Sequence, residues 1–301
     1  MQLAKSTTNI IESVTQNKHN IIWRPSGGLN DCSFFESNFR YYLQPIQNPV
    51  FTNPSSRTAV TLKEPFFNDN TYGLIVTNDI NDATPKESLY RHINNVVIFN
   101  TIRPPNMKRE DFIITEKKNT KRTKLFMTDD IAASWEMPNN SVVVNYGVPL
   151  DILTTEDIEQ SGDLLIHDTS MLGKQLMAAA QQKGLKVELV TQFTNFTDFS
   201  EKVKKYKVYL DTTLNGNYEC LCAVACGAKV VGTRSCKKTA PGITIENNGG
   251  NLLNVIEQLL SSDSLDVKEG RDYLEEHYNF LNFKNTVTEL FTKKIQEAYI
   301  A

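Results

Sequence analysis

The residues from Val208 to Thr233 read VYLDTTLNGNYECLCAVACGAKVVGT and carry the clearest chemical signal in the chain. An apolar run, Val208–Leu210, ends in the small polar residues Asp211, Thr212 and Thr213. The spacing predicts a helix from Glu219 to Cys226, closed by Gly227, and a second strand at Lys229–Val231. A loop that enters a helix offers unpaired backbone N–H groups and the positive end of the helix dipole, a setting suited to a diphosphate. Asn217 and Tyr218 stand at that entry, and Gly216 lets the backbone come close to a ligand. Glu219 could accept hydrogen bonds from ribose hydroxyls, or could simply complement the helix dipole.

Other reactive side chains are fewer. His167 closes a predicted strand, Asp163–His167, and reads either as a ligand contact or as a satisfied strand end. Cys220, Cys222, Cys226 and Cys236 do not have the paired spacing of a structural zinc site, so buried thiols are expected and no metal. Phe193, Phe196 and Phe199 follow the strand Lys186–Val190 and read as packing groups or as a stacking surface for a base. The basic run Lys117–Lys124 reads as a solvated helix face or as a surface for an anionic partner.

The elements that must position these groups alternate. Strands are expected at Asn20–Arg24, Tyr72–Thr77, Asn95–Asn100, Asp111–Thr115 and Ser141–Val144, with helices near Thr8–Gln16 and through Phe34, Phe35, Phe39 and Tyr42. After Pro149 the pattern restarts. Strand Asp163–His167 is followed by helix Leu172–Lys183, which Gly184 ends, then by strand Lys186–Val190 and helix Phe199–Lys205. Helices at Leu252–Leu260 and Asp272–Ala298 close the chain. Strands alternating with helices imply parallel sheets, and two such runs predict an α/β protein of two doubly wound Rossmann-like domains facing a cleft. The expected division is residues 1–147 and 148–283, with a last helix, 284–301, packing back on the first domain.

Composition bounds the function. With 301 residues, 40% hydrophobic and 22% charged, the chain can build sizeable cores. A net charge of −3 argues against non-specific coating of nucleic acid. No apolar run approaches the roughly 20 residues of a membrane span, and residues 1–19 lack a signal-peptide core. With five cysteines, an odd number, a cytoplasmic protein is expected.

The stretch Ala223-Val-Ala-Cys-Gly-Ala-Lys-Val-Val231 resembles the donor-binding signature of the GT-B glycosyltransferases, in particular the group-1, retaining class. Ser141-Val-Val-Val-Asn-Tyr-Gly-Val-Pro-Leu150 is similar to the interdomain strand and link of that family. Asp111–Thr115 with Lys121-Arg122 is similar to its last N-domain strand and helix, and Tyr273–Tyr299 to its C-terminal helices. The resemblance implies a glycosyltransferase that uses a nucleoside-diphosphate sugar as donor substrate, with no cofactor and no metal. By the same resemblance Thr169, Ser170 and Lys174 meet the diphosphate, His167 the donor, and Asn217, Tyr218 and Glu219 the nucleotide. Thr169 stands where the family has an arginine, and Cys222 where it has a glutamate. Gly27 and Gly28 match a glycine-rich loop near the donor, while Asp31 and Asp79, at strand ends, read either as helix or turn caps or as the candidate catalytic carboxylates facing an acceptor hydroxyl. Asn100-Thr-Ile-Arg103 also resembles a short stretch of phage DNA glucosyltransferases, with Thr101 at the position of their catalytic Asp. The acceptor is therefore expected to be a hydroxymethylated base in phage DNA or, in the alternative, a bacterial surface glycan. A third reading is a catalytically silent GT-B-like nucleotide-binding module.

Overall fold

The computed structural model describes residues 20–24, 29, 33–34, 40–43, 59–61, 74–77, 94–100, 103, 122–136, 140–155, 160–168, 170–213, 216–233, 240–262 and 267–300. The chain divides into two units. One holds residues 1–27, 34–145 and 284–301; the other holds 28–33 and 146–283.

Among the described residues the first unit is built on seven parallel strands. They are β1 (Asn20–Arg24), β2 (Arg40–Leu43), β3 (Ala59–Thr61), β4 (Leu74–Thr77), β5 (Asn94–Phe99), β6 (Thr123–Phe126) and β7 (Ser141–Val143), in the order β3-β2-β1-β4-β5-β6-β7. β4 and β6 are buried along their whole length, as is Val96–Phe99 of β5. That is the pattern of parallel strands covered on both faces. Helix α1 (Asp129–Trp135) is capped by the Thr128 hydroxyl, which accepts from the Ile131 N–H at 3.1 Å. Its Trp135 ring meets Phe99 edge-on at 4.9 Å. From the far end of the chain Phe291 stacks on Phe34 at 6.3 Å.

Among the described residues the second unit has five parallel strands. They are β8 (Gly162–His167), β9 (Val187–Val190), β10 (Tyr206–Asp211), β11 (Lys229–Gly232) and β12 (Ile243–Ile245), in the order β12-β11-β10-β8-β9. Its helices are α2 (Met171–Gln182), α3 (Phe196–Val203), α4 (Gly216–Ala225), α5 (Leu252–Ser261) and α6 (Val267–His277). Leu164, Ile166, Val208, Leu210 and Val231 pack with Leu176 and Ala180 of α2 and with Leu252 and Ile256 of α5. Residues two apart on a strand share a face, so Tyr209 lies on the other side, where Phe199 of α3 meets it edge-on at 5.7 Å. α2 and α4 end alike. At Gly184 and Gly227, both with φ +82°, the chain turns left-handed. The paired bonds Gly184 N–H to Gln181 and Leu185 N–H to Ala180, and Gly227 N–H to Val224 and Ala228 N–H to Ala223, close each last turn. Arg271 on α6 donates to the carbonyls of Leu150, Leu153 and Ala225, tying the end of α4 to the segment before β8. Helix α7 (Phe280–Ile300) completes the chain.

Several expectations need correction. Arg40–Leu43, placed on a helix by the spacing of Phe39 and Tyr42, is strand β2, because pairing with β1 and β3 on its two sides outweighs a local helical period. The basic run does not end as a solvated helix: Arg122, at 3% exposure, leads into β6, where Lys124 is 7% exposed between β5 and β7. The single long helix expected over Asp272–Ala298 is two. It breaks at Tyr278–Asn279, where Val148 pairs with the backbone and its N–H meets the Tyr278 carbonyl at 2.9 Å. The Thr8–Gln16 helix and the Asp111–Thr115 strand lie outside the described residues. Among the described residues no helix is long and apolar enough to cross a membrane.

Candidate functional site

The order of the second sheet reverses between β8 and β10. β9 lies to one side of the pair, and β11 and β12 to the other. Ligands of open parallel sheets bind beyond the carboxyl ends of the strands at such a reversal. Register pairs His167, the last residue of β8, directly with Asp211, the last of β10. Alternation along β10 puts Tyr209 on the same face as Asp211.

These three side chains form one buried cluster. His167 Nδ1 lies 3.0 Å from the Tyr209 hydroxyl and 3.1 Å from Asp211 Oδ2, and the Tyr209 O–H donates to the same Oδ2 at 3.0 Å. The other oxygen of Asp211 accepts from the Thr213 N–H at 2.8 Å and its hydroxyl at 2.7 Å. An ionised carboxylate only accepts, so the contact between Nδ1 and Oδ2 requires the proton on Nδ1. Burial alone would push the His167 pKa down. Asp211, with Glu219 and Asp168 farther off, outweighs burial and raises it above the ordinary histidine value. Burial and the charge of Asp211 hold the Tyr209 phenol far above its usual range.

Asp168 follows β8 and turns back onto α2. Its carboxylate accepts from the Ser170 and Gly173 N–H groups and from the Thr212 hydroxyl. Burial pushes this carboxyl up, but the hydrogen bonds prevail and leave it below its usual value. Gly173 is required for the arrangement: a Cβ there would lie 2.5 Å from the Asp168 Cβ. Ser170 caps the same helix, its hydroxyl accepting from the Leu172 N–H at 3.1 Å.

Glu219 lies in the first turn of α4 and is buried. Oε1 accepts the Leu29 N–H at 3.3 Å, whereas Oε2 has no hydrogen-bond partner among the described residues. Burial and the charge of Asp211 push its pKa up to about 7, against the opposing pull of His167. Three buried acids, Asp168, Asp211 and Glu219, and an imidazole thus share one field at the carboxyl end of the sheet.

No protein-family model matches the sequence, and no curated protein does. Solved structures do match. HepE of Anabaena, in complex with UDP and glucose, is similar at a TM-score of 0.66 and 11% identity, over 91% of this chain and 99% of that one. Sucrose-phosphate synthase of Thermosynechococcus elongatus is similar at 0.60 and 10% identity, over 91% and 98%. WaaG, a glycosyltransferase of lipopolysaccharide biosynthesis, is similar at 0.58 and 12% identity, over 91% and 99%. The chain has the GT-B fold.

Of the residues singled out for this GT-B chain, His167 and Glu219 come together in the cluster, and Ser170 stands beside it. Lys174 is in the first turns of α2 and exposed. The Tyr218 hydroxyl is occupied, donating to the Gly147 carbonyl at 2.8 Å, and its ring lies 5.0 Å from that of Tyr146. Asn217 is in the first turn of α4. Gly27, Gly28, Asp31, Asp79, Thr101 and Thr169 lie outside the described residues. Phe193, Phe196 and Phe199 are buried packing groups, Phe193 edge-on to His167 at 4.9 Å. Cys220, Cys222 and Cys226 are buried and take part in no disulfide, and burial pushes Cys226 up to about 11. Among the described residues no group of His, Cys, Asp and Glu is arranged to hold a metal ion. Sequence reading missed Asp168, Tyr209 and Asp211. The signal was the matched ends of two neighbouring strands, which set Asp211 opposite His167.

Proposed function

We propose that this chain is a glycosyltransferase that moves a sugar from a nucleoside-diphosphate sugar to an acceptor hydroxyl. The observation that carries this reading is the placement of His167, Asp168, Asp211 and Glu219 together at the carboxyl ends of β8 and β10, where a GT-B second domain has its sheet reversal. The full-length likeness to HepE, whose structure holds UDP and glucose, supports it. In this reading His167, Thr169, Ser170 and Lys174 meet the donor. Asn217 and Tyr218 offer N–H groups at the start of α4, Glu219 serves the nucleotide side, and Gly27 and Gly28 approach the donor. Asp31 and Asp79 serve the acceptor side. The transfer is a retaining one that needs no metal or other cofactor, the donor phosphate taking the proton of the acceptor. A cytoplasmic setting agrees with the absence of a disulfide among the cysteines of the described residues.

For the acceptor, the likeness of Asn100–Arg103 to phage DNA glucosyltransferases supports a hydroxymethylated base in DNA. DNA binding that weakens with salt in proportion to the phosphates neutralised is the expected sign, and salt-independent binding of a glycan would replace that acceptor by the alternative.

The deciding experiment is a thermal-shift panel of UDP-glucose, ADP-glucose, GDP-mannose and dTDP-glucose with wild type and Lys174→Ala. A ligand at about 100 times its dissociation constant adds roughly 2.7 kcal/mol of stability. One nucleotide-sugar should raise the melting temperature, and Lys174→Ala should remove the rise. No shift with any of them overturns the reading in favour of a silent module.

A further inference from the structure

Both helices beside the sheet reversal are already met by carboxylates of this chain. Asp168 takes the Ser170 and Gly173 N–H groups of α2, and the Ser170 hydroxyl takes that of Leu172. Glu219 bonds its own N–H in the first turn of α4. The N–H groups of Ser170, Leu172, Gly173 and Glu219, which would otherwise attract a phosphate, are thereby taken by side chains of this protein. Position 169, where the GT-B resemblance places an arginine, is a threonine. A ligand phosphate at the reversal therefore needs a different charge-assisted donor.

His167 has the placement. Nδ1 is consumed by Asp211 and Tyr209, and no hydrogen bond to Nε2 is recorded among the described residues. The ring is held edge-on by Phe193 at 4.9 Å, and the side chain keeps 10% exposure. We propose that Asp211 and Tyr209 are positioning residues that fix a proton on His167 Nδ1, so that an Nε2–H group is presented to a phosphate oxygen of the bound nucleotide-sugar. This rests on the donor-site reading above and adds to it a pH-dependent donor. The groups that face the imidazole are Tyr209 and Asp211 on β10, Asp168 after β8, and Glu219 on α4. On the Phe193 side stands Lys202 of α3, whose ammonium lies 5.7 Å from that ring and pairs with Asp198. The carboxylates hold the imidazolium above the ordinary histidine value. The donor is thus protonated below that raised pKa and lost above it, with affinity falling by at most about tenfold per pH unit beyond it.

The test is calorimetric titration with whichever nucleotide-sugar of the panel binds most tightly, between about pH 6 and about pH 9. The diphosphate of such a donor is a diester and does not titrate in that range. Wild type should lose about tenfold or more in affinity across it, and His167→Ala should be weak and flat. Asp211→Asn should move the fall to lower pH, whereas Lys174→Ala should weaken binding equally at every pH. A flat wild-type profile, or an Asp211→Asn profile that overlays wild type, overturns the inference while leaving the donor site standing. If no nucleotide-sugar binds at any pH, the donor-site reading and the inference fall together. Ring-nitrogen magnetic resonance on histidine-labelled wild type checks the tautomer without a ligand and without a destabilising variant. At high pH the His167 signals should show Nδ1 protonated and Nε2 bare, and the reverse tautomer overturns the inference.

Discussion

The seven-stranded sheet buries charge where β6 begins, at Arg122 and Lys124, while the five-stranded sheet buries it where β8 and β10 end, at His167, Asp168 and Asp211. Both arrangements take ionisable groups out of water, which costs free energy unless partners replace the solvent. Their positions separate their purposes. The carboxyl ends of parallel strands open toward loops that bind ligands, and the amino ends do not. The basic residues of β6 thus belong to the scaffold. The cluster at His167 lies at the carboxyl ends of β8 and β10, and its groups hold displaced pKa values of the kind that accumulate at working sites.

The largest effect that could break this contrast is at Leu125, between the buried basic residues and the end of β6. Leu125→Ala should lower stability by about 3–5 kcal/mol, as when a fully buried leucine is cut out of a packed core, with nucleotide-sugar affinity per folded molecule unchanged. Urea unfolding and titration of the folded fraction would measure both, and a variant of normal stability that no longer binds would reverse the assignment of the two ends. Next is Glu219→Gln. The Glu219 carboxyl ionises near pH 4.5 in an unfolded chain but at about 7 in the folded one. The stability it lends below about pH 4.5 is therefore lost as pH rises through 7, by an amount on the order of 3 kcal/mol. The variant lacks that loss, so its melting temperature relative to wild type should climb between pH 4.5 and 7; a constant difference would mean that Glu219 carries no unusual proton. The smallest effect sharpens the contrast within the second sheet. Asp163, at the amino end of β8, accepts from the Lys186 N–H and pairs with half-exposed Lys207 at 3.2 Å. Asp163→Asn should cost less than about 1 kcal/mol and leave binding untouched.

Much of the second unit was legible because its signals are local. Gly184 and Gly227 announced the ends of α2 and α4, and both adopt the left-handed turn their sequence context implied. The first unit was harder to read. β2 carries aromatics at a spacing that also fits a helix, and β6 begins with charged residues that read as surface; only neighbouring strands, distant in sequence, make either a strand. The site was legible in part. His167 and Glu219 stood out as chemical groups at element ends. Asp211 reads from sequence as the start of a loop, and its placement opposite His167 depends on strand register, which no short window of sequence displays. Asp168 reads as an ordinary cap until Gly173, five residues later, is seen to make room for it.

The division of the chain also orders its folding in time. Every residue of the second unit has been synthesised once the ribosome passes Phe283, whereas the first unit still lacks residues 284–301. Phe291 and its neighbours Val287 and Ile295, all buried, are then missing from a unit whose strand β7 was made about 140 residues earlier. At about 5–20 residues per second that is a delay of roughly 7–30 s. The half of the protein translated first is therefore completed last, and during that interval its unfinished apolar surface is what chaperones would meet on the nascent chain.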